Sequence, residues 1–190
     1  MTKTMRHGTI LFLLACSIGA FSFHTASAQD VVPAPEARPS PMAVAQATLS
    51  DGTYIAVRYS SPRKRGRDIF GGLVPLDEVW RFGANEATEI TVTQDVTFGG
   101  TRVPAGTYAL FAIPSEDEWT LILNENLGQW GAFSYDMEAD FARVTVPAEE
   151  SGQIHEAFTV TLEVNDAETA ATLSAVWDQT RISVPIQAIN

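Results

Sequence analysis

Alternation of apolar and polar residues with a period of two constrains this chain more than any other feature. Phe158, Val160, Leu162 and Val164 alternate with Thr159, Thr161 and Glu163, and Ile182, Val184 and Ile186 alternate with Ser183 and Pro185. Successive side chains of a strand point to opposite faces, so this pattern buries one face and wets the other. Residues 53–59, 88–93, 95–98, 107–113, 119–124, 141–146 and 171–177 read the same way, with the β-branched content that strands favour. Stretches 107–113 and 119–123 are apolar in both phases, which predicts central strands covered on both faces. Turn residues separate the runs. Gly99-Gly100, between Phe98 and Thr101, predicts a two-residue hairpin turn because glycine accepts the positive φ needed there. Pro104-Ala105-Gly106 and residues 114–117 also read as turns. The expected fold is all-β: an antiparallel β-sandwich or jelly-roll-like arrangement of about nine short strands with little helix. Segments 70–82 and 128–139 are irregular and predict a short helix or a long loop in each place.

The first residues follow a different pattern. Lys3 and Arg6 precede an apolar run over 10–23, and Ala26-Ser27-Ala28 follows it. A basic start, an apolar stretch and a small-residue cleavage site predict a signal peptide over 1–28 and an exported, periplasmic or extracellular domain. The run is shorter than the ~20 apolar residues of a bilayer span, so the mature chain is expected to have no transmembrane segment. Leu13-Leu14-Ala15-Cys16 leaves lipidation at Cys16 as the alternative. Pro33, Pro35, Pro39 and Pro41 mark 29–42 as an extended linker, followed by a single β-rich domain over 43–190.

Charge narrows the partners. The 190 residues carry 12 Lys plus Arg against 23 Asp plus Glu, a formal net charge of −11. That balance argues against nucleic acid, whose phosphates need a basic surface, and against an anionic lipid surface. Loss of residues 1–28 would remove Lys3 and Arg6, the only cysteine, and two of three histidines, leaving ten bases and His155 alone. Such a chain has no disulfide and no Cys or His cluster for a metal, and no cofactor is expected. Asp136, Glu138 and Asp140 have the alternate spacing of a calcium loop, but Phe141 stands where the turn needs glycine. His155 reads as a surface residue, since no G-x-S-x-G accompanies it. The expectation is a binding domain rather than an enzyme; a carboxylate pair such as Glu86 with Asp136 is the hydrolase alternative.

Polar chemistry gathers in three places. Arg58, Arg63, Lys64, Arg65 and Arg67 put half of those ten bases within ten positions. Arginine offers a carboxylate or phosphate a two-pronged fork, so Arg63, Arg65 and Arg67 are candidate ligand residues; equally, they can tie the loop to the protein's own acids. Residues 79–88 bring Trp80, Arg81, Asn85 and Glu86 around a glycine, where Trp80 could stack on a ligand or anchor the core. Residues 124–136 present Trp130 between Gln129 and Gly131, as a ligand platform or as a plug at the open end of the sandwich. The expected partner is a glycan or a peptide. A structural accessory role, in which the arginines only hold the sandwich together, is the other alternative.

Tyr59-Ser60-Ser61-Pro62, Gly66-Arg67, residues 69–75, Val79-Trp80-Arg81 and residues 83–88 recur in order with Pro104-Ala105-Gly106-Thr107-Tyr108, Glu118-Trp119-Thr120, Gln129-Trp130-Gly131-Ala132 and Arg143-Val144. Together they resemble a bacterial exported family catalogued as domain of unknown function 2911, over roughly residues 43–187. Leu76-Asp77, where that family is expected to have Tyr-Gly, and Phe82, where Thr is common, are departures. The resemblance implies an exported, β-rich domain and assigns no catalytic or binding residue.

Overall fold

The computed structural model describes residues 38–189; the expected signal peptide over 1–28, with the alternative lipidation site Cys16, and most of the proline-rich stretch lie outside the described residues. Nine strands follow in chain order: β1 (Met42–Thr48), β2 (Tyr54–Ser60), β3 (Thr88–Val92), β4 (Val96–Phe98), β5 (Thr101–Val103), β6 (Gly106–Pro114), β7 (Glu118–Asn124), β8 (Asp140–Val164) and β9 (Ala170–Ala188). Among the described residues the helical content is one 3₁₀ turn, Met137–Ala139. Among the described residues no helix is long and apolar enough to cross a membrane.

The all-β, antiparallel expectation is met. The strands form one hydrogen-bonded sheet in the order β1-β2-β3-β6-β7-β8-β9-β4-β5, so the two layers are halves of a single open sheet. Two long strands make this possible. Residues 140–147 of β8 pair with β7, whereas residues 148–164 pair with β9. β9 in turn pairs with β8 over 171–182 and with β4 over 186–188. Runs 141–146 and 158–164, separate in sequence pattern, are therefore one strand, as are 171–177 and 182–186. The interval 148–157 is mostly exposed and irregular in register, so it carries no periodic apolar signal. His155 sits there opposite Asp178, half-buried, and its Nε2 has no partner among the described residues.

Facing halves share one core that includes Val57, Ile90, Leu110 and Leu121 with Phe158, Leu173, Val184 and Phe98. Tyr59 packs edge-on to Phe158 at 5.7 Å, and its hydroxyl accepts the Val160 amide at 3.0 Å. Beyond β2 the chain meets β8 directly: the Phe158 amide donates to Pro62 O at 2.9 Å and Lys64 N donates to Glu156 O at 2.7 Å. β6 and β7 are central, as their two-phase apolar pattern predicted. Leu110 and Leu121 face the main core, while Ala109, Phe111 and Ile122 form a second cluster beneath Val79, Ala132 and Tyr135.

Gly99-Gly100 makes the expected hairpin, with φ of 55° and 86° and Phe98 opposite Thr101. β1 has no counterpart in the sequence reading. Its inward residues are Ala45 and Ala47, whereas Val44 faces outward, so the usual hydrophobic contrast is weakened.

Candidate functional site

Two long connections meet over the second cluster. Residues 61–87 join β2 to β3, and residues 125–139 join β7 to β8. Long loops in a compact domain need their own fastening, and these are tied by backbone bonds. Trp80 pairs with Ala112 of β6, its amide donating to Ala112 O at 2.7 Å and its carbonyl accepting Ala112 N at 2.8 Å. Ala87 N donates to Gln129 O at 2.9 Å, and Gly131 N to Asn85 O at 3.0 Å. Buried Asn124 organises the second loop: its Nδ2 donates to Asp136 O and Asp140 Oδ1, both at 2.8 Å, and its Oδ1 accepts Asn126 N at 3.0 Å.

Fastened this way, the loops enclose a cleft of about 540 Å³. Leu73, Val74, Val79, Ala132 and Phe133 give it an apolar side; Trp80 and Trp177 also line it, as do Arg67, Glu78, Arg81 and Asn85. This volume lies within the ordinary range for small-ligand sites, about 300–1,000 Å³.

Loop 79–87 bends sharply. Phe82 and Asn85, neither glycine, take φ of 50° and 58°. A bulky residue is rarely left-handed, and it persists only where its surroundings hold it. Phe82 is fully buried, and its carbonyl accepts the Thr88 hydroxyl. Between these two, a side chain on Gly83 would lie 3.0 Å from Ser60 O and 3.1 Å from Thr88 Oγ1.

Trp80, a candidate stacking surface, is instead a core residue. It is 8% exposed, stacks on Trp177 at 6.1 Å, meets Phe158 at 5.2 Å, and donates its indole N–H to Gly83 O at 3.0 Å. Trp130 is 57% exposed, with the Arg38 guanidinium carbon 5.8 Å from its ring centroid. Glu86 is ion-paired with that same Arg38. Asn85 donates to Ser40 O at 3.1 Å and to Ser60 Oγ at 3.2 Å. Residues 38–41, the end of the proline-rich stretch, are thus attached to the loops, and Ser61 N reinforces them by donating to Pro41 O at 2.8 Å.

The basic loop divides into tied and open charges. Lys64 is ion-paired with Asp178 of β9, and Arg58 with Glu89 at 2.6 Å. Arg65 and Arg67 spend donors on the chain itself: Arg65 reaches Pro39 O at 3.3 Å, and Arg67 reaches Lys64 O at 3.0 Å and Arg63 O at 2.5 Å. Arg67 alone of these five lines the cleft; Arg63 and Arg65 are exposed outside it.

Arg81 differs from all of them. It lines the cleft half-buried, and among the described residues its guanidinium has neither an acidic partner nor a hydrogen bond; its Nε is buried. Burial lowers its pKa from the ordinary arginine value, yet a guanidinium remains charged at neutral pH. Trp177, not singled out from the sequence, contributes a second buried donor without a partner, its indole N–H. Its position in an alternating run marked it as core, and nothing in that run marks a cavity.

Asp136 does not join Glu86. It caps the 3₁₀ turn by accepting Glu138 N at 3.0 Å, and it does not line the cleft. Asp140 accepts Arg143 Nε at 2.8 Å and the Tyr135 hydroxyl at 2.6 Å. Among the described residues no group of three or more His, Cys, Asp or Glu is placed to hold a metal ion.

The model of a family described as protein of unknown function (DUF2911) matches residues 40–186. Comparison with curated proteins and with solved structures gave no match.

Proposed function

We propose that this chain, which belongs to the DUF2911 family and takes no activity from that membership, is an exported, non-enzymatic domain that binds an extracellular or envelope ligand in the cleft between its two long loops. One observation carries the reading. In a chain of net charge −11, Arg81 is half-buried in a cavity of about 540 Å³ and has no counter-charge among the described residues. A partly desolvated cation is costly to leave unpaired, and a concave site of this volume that sets polar groups beside an apolar side is a form ligand sites take.

Of the two ligand classes, a peptide suits the cleft better than a glycan. Its apolar side is largely aliphatic, from Leu73, Val74 and Val79, and the tryptophans that line it are held in the core. Sugar recognition usually uses an exposed flat ring, which here only Phe133 offers among the cleft's described residues. The basic loop contributes mainly structure through Lys64, Arg65 and Arg67, so Arg63 and Arg65 are left out of the binding surface. A hydrolase built on Glu86 and Asp136 gains no support, because Glu86 is neutralised by Arg38 and Asp136 caps a turn.

Leu73→Trp tests the cleft. Leu73 is exposed on the cleft's lining, so an indole there fills space without entering the core. Probed on peptide and glycan arrays, the wild-type mature chain should retain a ligand set that the variant binds at least tenfold more weakly, with an unchanged melting temperature. Identical array profiles would remove the cleft from the function.

A further inference from the structure

We propose that the group this cleft recognises is the free C-terminal carboxylate of a peptide, received by the Arg81 guanidinium and the Trp177 indole N–H. The inference rests on the cleft being the ligand site and adds what the ligand must present there.

Arg81 Nε and Trp177 Nε1 are both buried, and neither has an acceptor among the described residues. Both residues line the same cavity. A guanidinium and an indole N–H are donors with no acceptor capacity, so lone pairs are what these two groups lack. Neutral acceptors would satisfy the indole, but the charge on Arg81 selects for an anion. The planar fork of an arginine matches the two oxygens of a carboxylate, and such charge-assisted bonds are about twice as strong as neutral ones.

Arg67 adds a second cation to the lining. Its Nε and one terminal nitrogen are held by the carbonyls of Lys64 and Arg63, so its part is to raise the local positive potential. Leu73, Val74 and Val79 supply an aliphatic surface for the side chain that a terminal residue carries beside its carboxylate. Asn85 also lines the cleft, but its amide is engaged with Ser40 and Ser60. Glu78, exposed on the same lining, disfavours a second acidic group on the ligand. One carboxylate next to an apolar residue fits all of these together.

The probes are two synthetic tetrapeptide pools, random at three positions and Leu, Val or Ile at the last, one with a free C-terminus and one C-terminally amidated. Trigalacturonate is the third probe, carrying carboxylates on sugar. Each is titrated into the ¹⁵N-labelled mature chain while the Trp177 indole and Arg81 Nε–H resonances are followed. The free-acid pool should shift both, and the amidated pool should need at least a tenfold higher concentration for the same shift. Arg81→Gln should bring the two pools to equal, weak binding.

Equal shifts from acid and amide in the wild-type chain would overturn the carboxylate inference while leaving the cleft as a ligand site. Shifts with trigalacturonate but with neither pool would replace the peptide by an acidic sugar and overturn the proposal as stated. No shift with any probe would count against both the inference and the cleft. The wild-type comparison stands even where Arg81→Gln fails to fold.

Discussion

Arg38 is ion-paired with the Glu86 carboxylate while its guanidinium carbon lies 5.8 Å from the centroid of the Trp130 ring. One side chain from before β1 thereby joins the two long loops. Burial alone would raise the Glu86 pKa, but the Arg38 hydrogen bond and further favourable contacts prevail and leave it below its usual 4.5. A lowered folded-state pKa means stabilisation that is present above pH 4.5 and lost as pH falls through the folded value. Glu86 is largely solvated, so the pair contributes no more than about 1 kcal/mol. Its effect is local. Exchange of the Ser61 amide, which donates to Pro41 O, and Trp130 fluorescence should both change as pH drops below 4.5, with little change in global stability. Arg38→Met should show the acid-type exchange rate already at neutral pH.

Lys64 and Asp178 form a better-shielded pair, with side chains 16% and 19% exposed. It fixes the basic loop to β9. Asp178 has a φ of 54°, a conformation that Asn also tolerates, so Asp178→Asn removes the charge without adding backbone strain. Urea denaturation should show a loss of about 2 kcal/mol, below the roughly 3–5 kcal/mol of a fully buried pair. The double variant with Lys64→Met should recover part of that loss, because no buried charge is then left alone.

The two glycines of the β4–β5 turn should behave differently. A Cβ on Gly99 would lie 2.2 Å from Val144 Cγ1 and 3.2 Å from Val184 Cγ2, whereas one on Gly100 would meet nothing within 4 Å. Gly99→Ala combines a left-handed residue with overpacking and should cost about 2–4 kcal/mol. Gly100→Ala should cost only about 1–2 kcal/mol, the conformational part. Chemical denaturation of the two variants checks the order.

Tyr135 donates to Asp140 at 2.6 Å and accepts from Arg143 at 2.8 Å. Burial first, then the Asp140 hydrogen bond, pushes its pKa up to about 12 from 10.0. A raised folded-state pKa gives stabilisation that is full below pH 10 and lost as pH rises toward 12. Ultraviolet titration of the phenolates should therefore contain a late step near pH 12. Tyr135→Phe should remove one tyrosine equivalent from that step and loosen the 125–139 loop in amide exchange.

Elements whose side chains alternate in size and polarity could be read from the chain directly. The Phe98–Thr101 turn and the two-faced burial of 107–113 and 119–123 followed from local chemistry. β1 escaped because alanines fill its inner face and Val44 its outer one. The union of 141–146 with 158–164 escaped because backbone pairing continues through solvated residues that leave no periodic trace.

The candidate site was legible only in part, for a similar reason. Composition drew attention to charge density over 58–67, but density does not reveal which cations already have partners. Four of those five are bound to acids or carbonyls far away or close by in the chain, at Glu89, Asp178, Pro39 and the loop's own backbone. Arg81 stands out by lacking such a partner while its Nε is buried beside the cleft, a property no single sequence displays. Arg38 was hidden in a stretch whose prolines signalled a linker, 48 positions from the glutamate it meets.

The place of β4 and β5 in the sheet sets an order of events during synthesis. These strands, complete by residue 103, pair with one another and then only with residues 186–188 of β9. A ribosome delivers that partner after the other described strands, so the ribbon must wait through the making of some eighty further residues with its β4 edge unpaired. A chain cut before residue 186 would keep the β4 edge open permanently, an invitation to intermolecular pairing. Correct assembly of the fold therefore depends on residues 186–188, the partners of the β4 edge.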